Sequence, residues 1–356
     1  MSELPSTQPR TAQDGPRTEA DLPPAGSQRR SAVTALLARP WLRAIVPLCF
    51  VFVIGLVFNA EGTFFKWGTH RDMLRQVSVY GILACGMTLV IITAGIDLSV
   101  GSVLALTAVL FSKLTMHQGW AAPGAILLVL LAGTGCGLLS GTMVARFRMQ
   151  PFIATLAVMV FARGFAKSLS GGQKVSQALL RPDGSYQYLD LPPVFAHIDR
   201  KILGDNVTVV TLIFLACVAL CAVLLARLRW GRYLYATGGN EESARLSGIP
   251  IHLVKLFAYG ASGLFAAVAG ICQAVQEQQG DPEAGTGYEL SAIAIVVMGG
   301  TSLNGGRGGM LFTFLGAMTI GYLEKILSIN AVPEASRSML FGAIVVAAVL
   351  FQKVRK

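Results

Sequence analysis

Charge is what this sequence has least of. Only 13% of its 356 residues are Asp, Glu, Lys or Arg, where a soluble domain carries about 25%. Hydrophobic residues make up 53%, and apolar runs near the ~20 residues that cross a bilayer recur along most of the chain. A soluble fold is thereby excluded. Cysteine pairs are missing as well. Cys49, Cys85, Cys136, Cys217, Cys221 and Cys272 all fall inside apolar runs with no CxxC spacing. They read as small packing residues, and no disulfide framework is expected. The four histidines show no ligand spacing, so no metal site is expected. No Walker motif occurs, and no secretory leader is expected, because no h-region with a small-residue cleavage site stands before the first apolar run.

What remains is an all-α, polytopic integral membrane protein. The net charge of +10 sits largely in short clusters between apolar runs: Arg146/Arg148, Arg227/Arg229/Arg232 and Lys353/Arg355/Lys356. That is the positive-inside pattern, so the charge reports orientation and not nucleic-acid binding. Residues 1–40 are polar and Pro-rich and read as a disordered cytoplasmic tail ahead of a transmembrane unit over 41–356. About ten spans are expected, some broken or re-entrant: 42–59, 76–94, 100–116, 123–145, 151–168, 207–226, 254–276, 290–303, 309–327 and 337–352. Both termini and the 227–255 loop then lie inside. The 169–206 segment and the acidic loop Glu277 to Glu289 lie outside.

TAGIDLSVGS (Thr93 to Ser102) puts Asp97 where hydrocarbon is expected, with Gly95 before it and Gly101 after it. A carboxylate there costs several kcal/mol unless paired, hydrated or protonated, so the stretch reads as a helix break. A weak internal likeness pairs Gly95 to Gly101 with Gly300 to Gly306, where GGTSLNGGRGG holds Gly305. Glycine-interrupted hydrophobic segments at corresponding places point to a transport path. That second stretch lacks the Lys and Ser/Thr of a phosphate-binding loop, so nucleotide binding is rejected. Thr93, Asp97, Ser99 and Arg163 are the candidate path residues. Asp97 reads as a hydrogen-bond acceptor on the path or as the cap of a broken helix, with structure favoured. Arg163 reads equally as snorkelling or lining.

Within the long basic loop, Asn240 to Pro250 reads as one short helix. Asn240 is an N-cap acceptor, Glu241 and Glu242 suit the first turn, Arg245 the last, Gly248 the left-handed C′ position, and Pro250 stops it. Ala244 and Leu246 are read as an apolar edge. Docking to a partner and simple tethering of two spans fit it equally on these grounds.

GMTLVIITAGIDLSVGS, QPFIATL, GRYLYATGGNEESARLSGI and AGTGYELSAIAIVVMGGTSLNGGRG, in this order, resemble the membrane permeases of ribose-type ABC sugar importers over roughly residues 74 to 352. Two departures are visible: Ser291 follows GYEL where an acidic residue is frequent, and TAGIDLSVG carries alanine where glycine or serine is commoner. The resemblance implies a bacterial inner-membrane permease that imports a pentose, hexose or related polyol by alternating access. It implies two permease copies, a cytoplasmic ATPase that holds ATP and Mg, a periplasmic sugar-binding protein, and no cofactor on this chain. It also implies that Asn240, Glu241, Ala244, Arg245, Leu246, Ser247, Gly248 and Ile249 form the coupling helix.

The rival reading is an ion-coupled secondary transporter with Asp97 as the proton or Na⁺ carrier. A membrane enzyme finds no Ser/His/Asp set and no pair of intramembrane carboxylates.

Overall fold

Apolar runs with few breakers fold as helices because lipid leaves the backbone no other hydrogen-bond partner. The computed structural model describes residues 40–180, 184–333, 335–340 and 342–343. Its helices are α1 (Pro40–Val57), α2 (Trp67–Ile92), α3 (Val100–Ser112), α4 (Ala122–Ala145), α5 (Pro151–Ser170), α6 (Pro193–Ile198), α7 (Val209–Arg227), α8 (Arg229–Gly239), α9 (Glu241–Leu246), α10 (Ile251–Glu277), α11 (Tyr288–Met298) and α12 (Met310–Ile329). A π-helical turn, Lys113–His117, continues α3. The 169–206 segment holds α6 and two small antiparallel pairs, Ala178–Leu180 with Tyr186–Tyr188 and Lys201–Ile202 with Val207–Thr208.

Among the described residues, seven helices are long and apolar enough to cross a membrane, and Ala44–Val57 and α11 are shorter apolar helices. This is a multi-pass membrane protein. The expected span 290–303 is corrected: α11 ends at Met298, where Gly299 and Gly300 interrupt it. Its 11 residues reach about 16 Å at 1.5 Å per residue, short of a ~30 Å hydrocarbon core. Most of the expected span 337–352 lies outside the described residues, as does the 1–40 tail apart from Pro40, which opens α1.

α10 is the hub, packed against α4, α2 and α3. Small residues set the α4–α10 distance. A Cβ on Gly263 would stand 2.8 Å from the backbone N of Gly137, and one on Gly137 would strike the Tyr259 carbonyl. Such close backbone approach is how helices associate in lipid, where no hydrophobic effect draws them together.

The acidic loop after α10 does more than cap the bundle. Gly280 exchanges two 2.8 Å backbone hydrogen bonds with Val175 and lies beside Ala108 to Ser112 of α3, and Gly285 lies against Gly101 at the start of α3. The loop therefore runs back along α3 before α11 begins. A reading of charge alone places it simply outside.

Candidate translocation path and coupling face

The α2–α3 break is built from its own polar groups. The hydroxyl of Thr93 donates to the Val90 carbonyl at 2.7 Å. Asp97, 1% exposed, accepts from the Ser99 backbone N–H at 3.0 Å, the Ser99 hydroxyl at 2.6 Å and the Ser262 hydroxyl of α10 at 2.7 Å. Tyr259 donates to the Ile96 carbonyl at 3.3 Å. The carboxylate thus pins the break onto α10, and charge-assisted bonds of this kind are the stronger ones.

The second break closes in the same way. Ala94 (φ 61) donates to the Ile91 carbonyl and Gly95 to that of Val90; Gly300 (φ 91) donates to Val297 and Thr301 to Val296. Both are Schellman ends with one left-handed residue. The structural counterpart of Gly300 is therefore Ala94, one residue away from the Gly95 that sequence likeness selects.

The two breaks also touch. The Gly306 N–H donates to the Ile92 carbonyl at 2.9 Å, and Gly305 (φ 79) crowds Ala94. Gly238, at the end of α8, closes the junction, where a Cβ would meet the Gly306 N at 2.7 Å and the Ile92 carbonyl. Tyr235 of α8 donates to the Gly308 carbonyl at 2.9 Å.

α8 leads straight into α9. The Asn240 side chain accepts from the Ser243 N–H at 2.9 Å, and Gly248 (φ 79) terminates the turn as Ile249 N–H bonds the Ala244 carbonyl. Glu241 pairs with Lys255 at 2.7 Å and Arg245 with Glu242 at 3.0 Å. Ser247 donates to the Ser243 carbonyl at 2.8 Å. The expected apolar edge is corrected. Ala244 is buried while Leu246 is 81% exposed, because residues two apart do not share a helix face. A groove of about 460 Å³ runs beside α9, lined in part by Arg148, Met149, Arg245, His252 and Lys255. Phe147, at the α4–α5 turn, is also exposed.

At the other end of the bundle, α2, α10, α11, α12, Arg337, Ser338 and Gly342 line a cavity of about 840 Å³. That lies within the roughly 300–1,000 Å³ of small-molecule sites. Its rim is Arg75, held by Asp199 through two 2.9 Å bonds, with Gln276 donating to the Arg75 carbonyl at 2.8 Å. Deeper, the rings of Tyr80, midway along α2, and Tyr288 meet with centroids 4.4 Å apart. Gln273 donates to Glu277 at 2.5 Å. Glu324 and Ser291 also line the cavity.

None of Thr93, Asp97, Ser99 and Arg163 lines this cavity. The first three are buried at the break. Arg163 donates to the carbonyls of Pro282 and Ala284 at 2.6 and 2.7 Å, and so fastens the acidic loop to α5. Lys167 pairs with Glu283 at 2.6 Å, and Lys174 with Asp281 at 3.0 Å, which holds the Lys174 ammonium above the ordinary lysine range. Sequence reasoning missed Glu324, although a carboxylate inside an apolar helix is the same signal that singled out Asp97.

A family model described as the branched-chain amino acid transport system / permease component matches residues 71–349. The ribose import permease protein RbsC of Escherichia coli is 38% identical over 304 residues, covering 85% of this chain and 91% of that protein. The fructose import permease protein FruG of Bifidobacterium longum is 34% identical over 316 residues, 88% of this chain and 90% of its own. The xylose transport system permease protein XylH of Escherichia coli is 32% identical over 364 residues, 88% and 93%. No solved structure matches the chain significantly. With a family model spanning most of the sequence and three transport permeases matching nearly end to end, this chain belongs to the branched-chain amino acid transport system / permease component family.

Proposed function

We propose that the chain is the membrane permease of an ATP-binding-cassette importer that carries a monosaccharide into the cytoplasm. The relatives named for ribose, fructose and xylose support a sugar. The family description names branched-chain amino acids, whereas the individual relatives that match nearly end to end are named for sugars; the 840 Å³ cavity offers polar groups beside two tyrosine rings. Among the described lining residues the one aliphatic side chain is Leu290, against tyrosines, glutamines, serines and carboxylates. A neutral polyol would find donors and acceptors. The near end-to-end match to permeases named for sugar import is the observation that carries the reading.

In this account the chain lies in a bacterial inner membrane with both termini cytoplasmic, in line with its basic clusters. Two copies pair, a periplasmic binding protein delivers sugar to the cavity end, and a separate ATPase binds α9. ATP and Mg stay on that partner. ATPase closure moves α9, and α8 passes the displacement through Gly238 to both helix breaks at once. The bundle then switches between outward and inward states as a two-state element biased from both ends.

Competition decides the substrate class. In proteoliposomes holding the whole importer, uptake of labelled D-ribose, D-xylose or D-fructose should proceed undiminished in excess leucine. Leucine uptake in place of all three sugars would overturn the proposal.

A further inference from the structure

The hydrogen-bonding groups around the 840 Å³ cavity divide into occupied and unoccupied sets. Arg75 is held by Asp199, the Gln276 amide by the Arg75 carbonyl, and the Gln273 amide by Glu277. The side chains of Glu324 and Ser291 form no hydrogen bond among the described residues, yet both line the space. Both residues are only partly buried, so their polar atoms can be reached from the cavity. They are therefore available to a ligand that enters the cavity.

We propose that this cavity is a monosaccharide-binding station of the permease itself, with Glu324 and Ser291 hydrogen-bonding sugar hydroxyls beside the paired rings of Tyr80 and Tyr288. The assignment rests on the sugar-import reading above. A carboxyl group accepts hydrogen bonds from sugar hydroxyls, and a serine hydroxyl both donates and accepts. The tyrosine rings supply flat apolar bodies for the carbon face of a sugar while their hydroxyls remain polar. Glu324 opposes Arg337 across the rim, so the station is not a one-sign field that would select an ion. Asp97 is excluded from this role because it is 1% exposed and does not line the cavity, its carboxylate bonding Ser99 and Ser262.

The test uses membrane vesicles holding permease, ATPase and sugar-loaded binding protein, in a Cys49→Ser background that removes the exposed native thiol. Ser291→Cys is labelled with a water-soluble methanethiosulfonate, with and without D-ribose, D-xylose or D-fructose under turnover. The transported sugar should slow labelling at least fivefold, and Glu324→Gln should lower maximal uptake at least tenfold. Labelling unchanged by every sugar, in vesicles whose wild-type importer carries one of them, overturns the station while leaving the sugar reading intact. Protection by leucine alone also overturns it. If the wild-type vesicles carry no sugar, the sugar reading itself has failed. Should Glu324→Gln not copurify with the ATPase, the labelling result decides alone.

Discussion

The backbone N–H of Gly306 donates to the carbonyl of Ile92 across 2.9 Å, joining two helix breaks that are over two hundred residues apart in sequence. Gly238 sits on this junction with no room for a Cβ, whereas a Cβ on Gly239 would meet nothing within 4 Å. Gly238→Ala should therefore cut sugar uptake at least tenfold, and Gly239→Ala should leave it within about twofold. Uptake assays on matched amounts of membrane protein compare them. Equal tolerance of both would break the proposed route from α9 to the helix breaks.

Ala94 holds φ 61 at the α2 terminus, a conformation that costs an L-residue roughly 1–2 kcal/mol. Glycine removes that cost and loses part of the gain, about 0.4–1 kcal/mol, to its freer unfolded chain. Ala94→Gly should stabilise the protein by roughly 0.5–1 kcal/mol, seen as a higher thermal midpoint in detergent. A lower midpoint would mean that the alanine methyl contributes packing that outweighs its backbone strain.

At Asp97 the prediction separates shape from charge. Asp97→Asn keeps an acceptor for Ser99 and a polar partner for Ser262, so transport should stay near wild type. Asp97→Ala leaves buried donors unmet at about 1–3 kcal/mol each, and the thermal midpoint should fall clearly. Transport abolished by the asparagine variant in a normally folded protein would assign the charge a direct role.

Leu246 is 81% exposed, and exposed substitutions usually change stability by less than about 0.5 kcal/mol. Leu246→Asp should thus leave the thermal midpoint unmoved while the ATPase no longer copurifies with the permease. Retained copurification would place the docking surface elsewhere, the Phe147 turn being the next candidate to substitute.

Local chemistry was legible in the sequence, and long-range packing was not. Asn240 and Gly248 announce α9 because capping needs only neighbours, and glycines mark both breaks for the same reason. The one-residue offset between Gly95 and Ala94 escaped because glycine identity, not φ, was the available signal. The expected span 290–303 overruns α11 because the residues after Met298, Gly299 to Leu303, turn instead of continuing the helix. The cavity draws on α2, α10, α11 and α12, so no spacing along the chain could assemble Tyr80, Gln273, Tyr288 and Glu324. Arg163 was seen as a charge in need of a partner. Its partners are backbone carbonyls of a loop that follows it by more than a hundred residues.

Energy source tests the central claim most directly. Uptake of labelled sugar is followed in vesicles loaded with the permease and its ATPase, with ATP, binding protein and a protonophore each added or withheld. The account predicts uptake that requires both ATP and the binding protein and persists with the protonophore. Uptake that collapses with the protonophore and continues without ATP or binding protein would contradict it and favour an ion-coupled carrier.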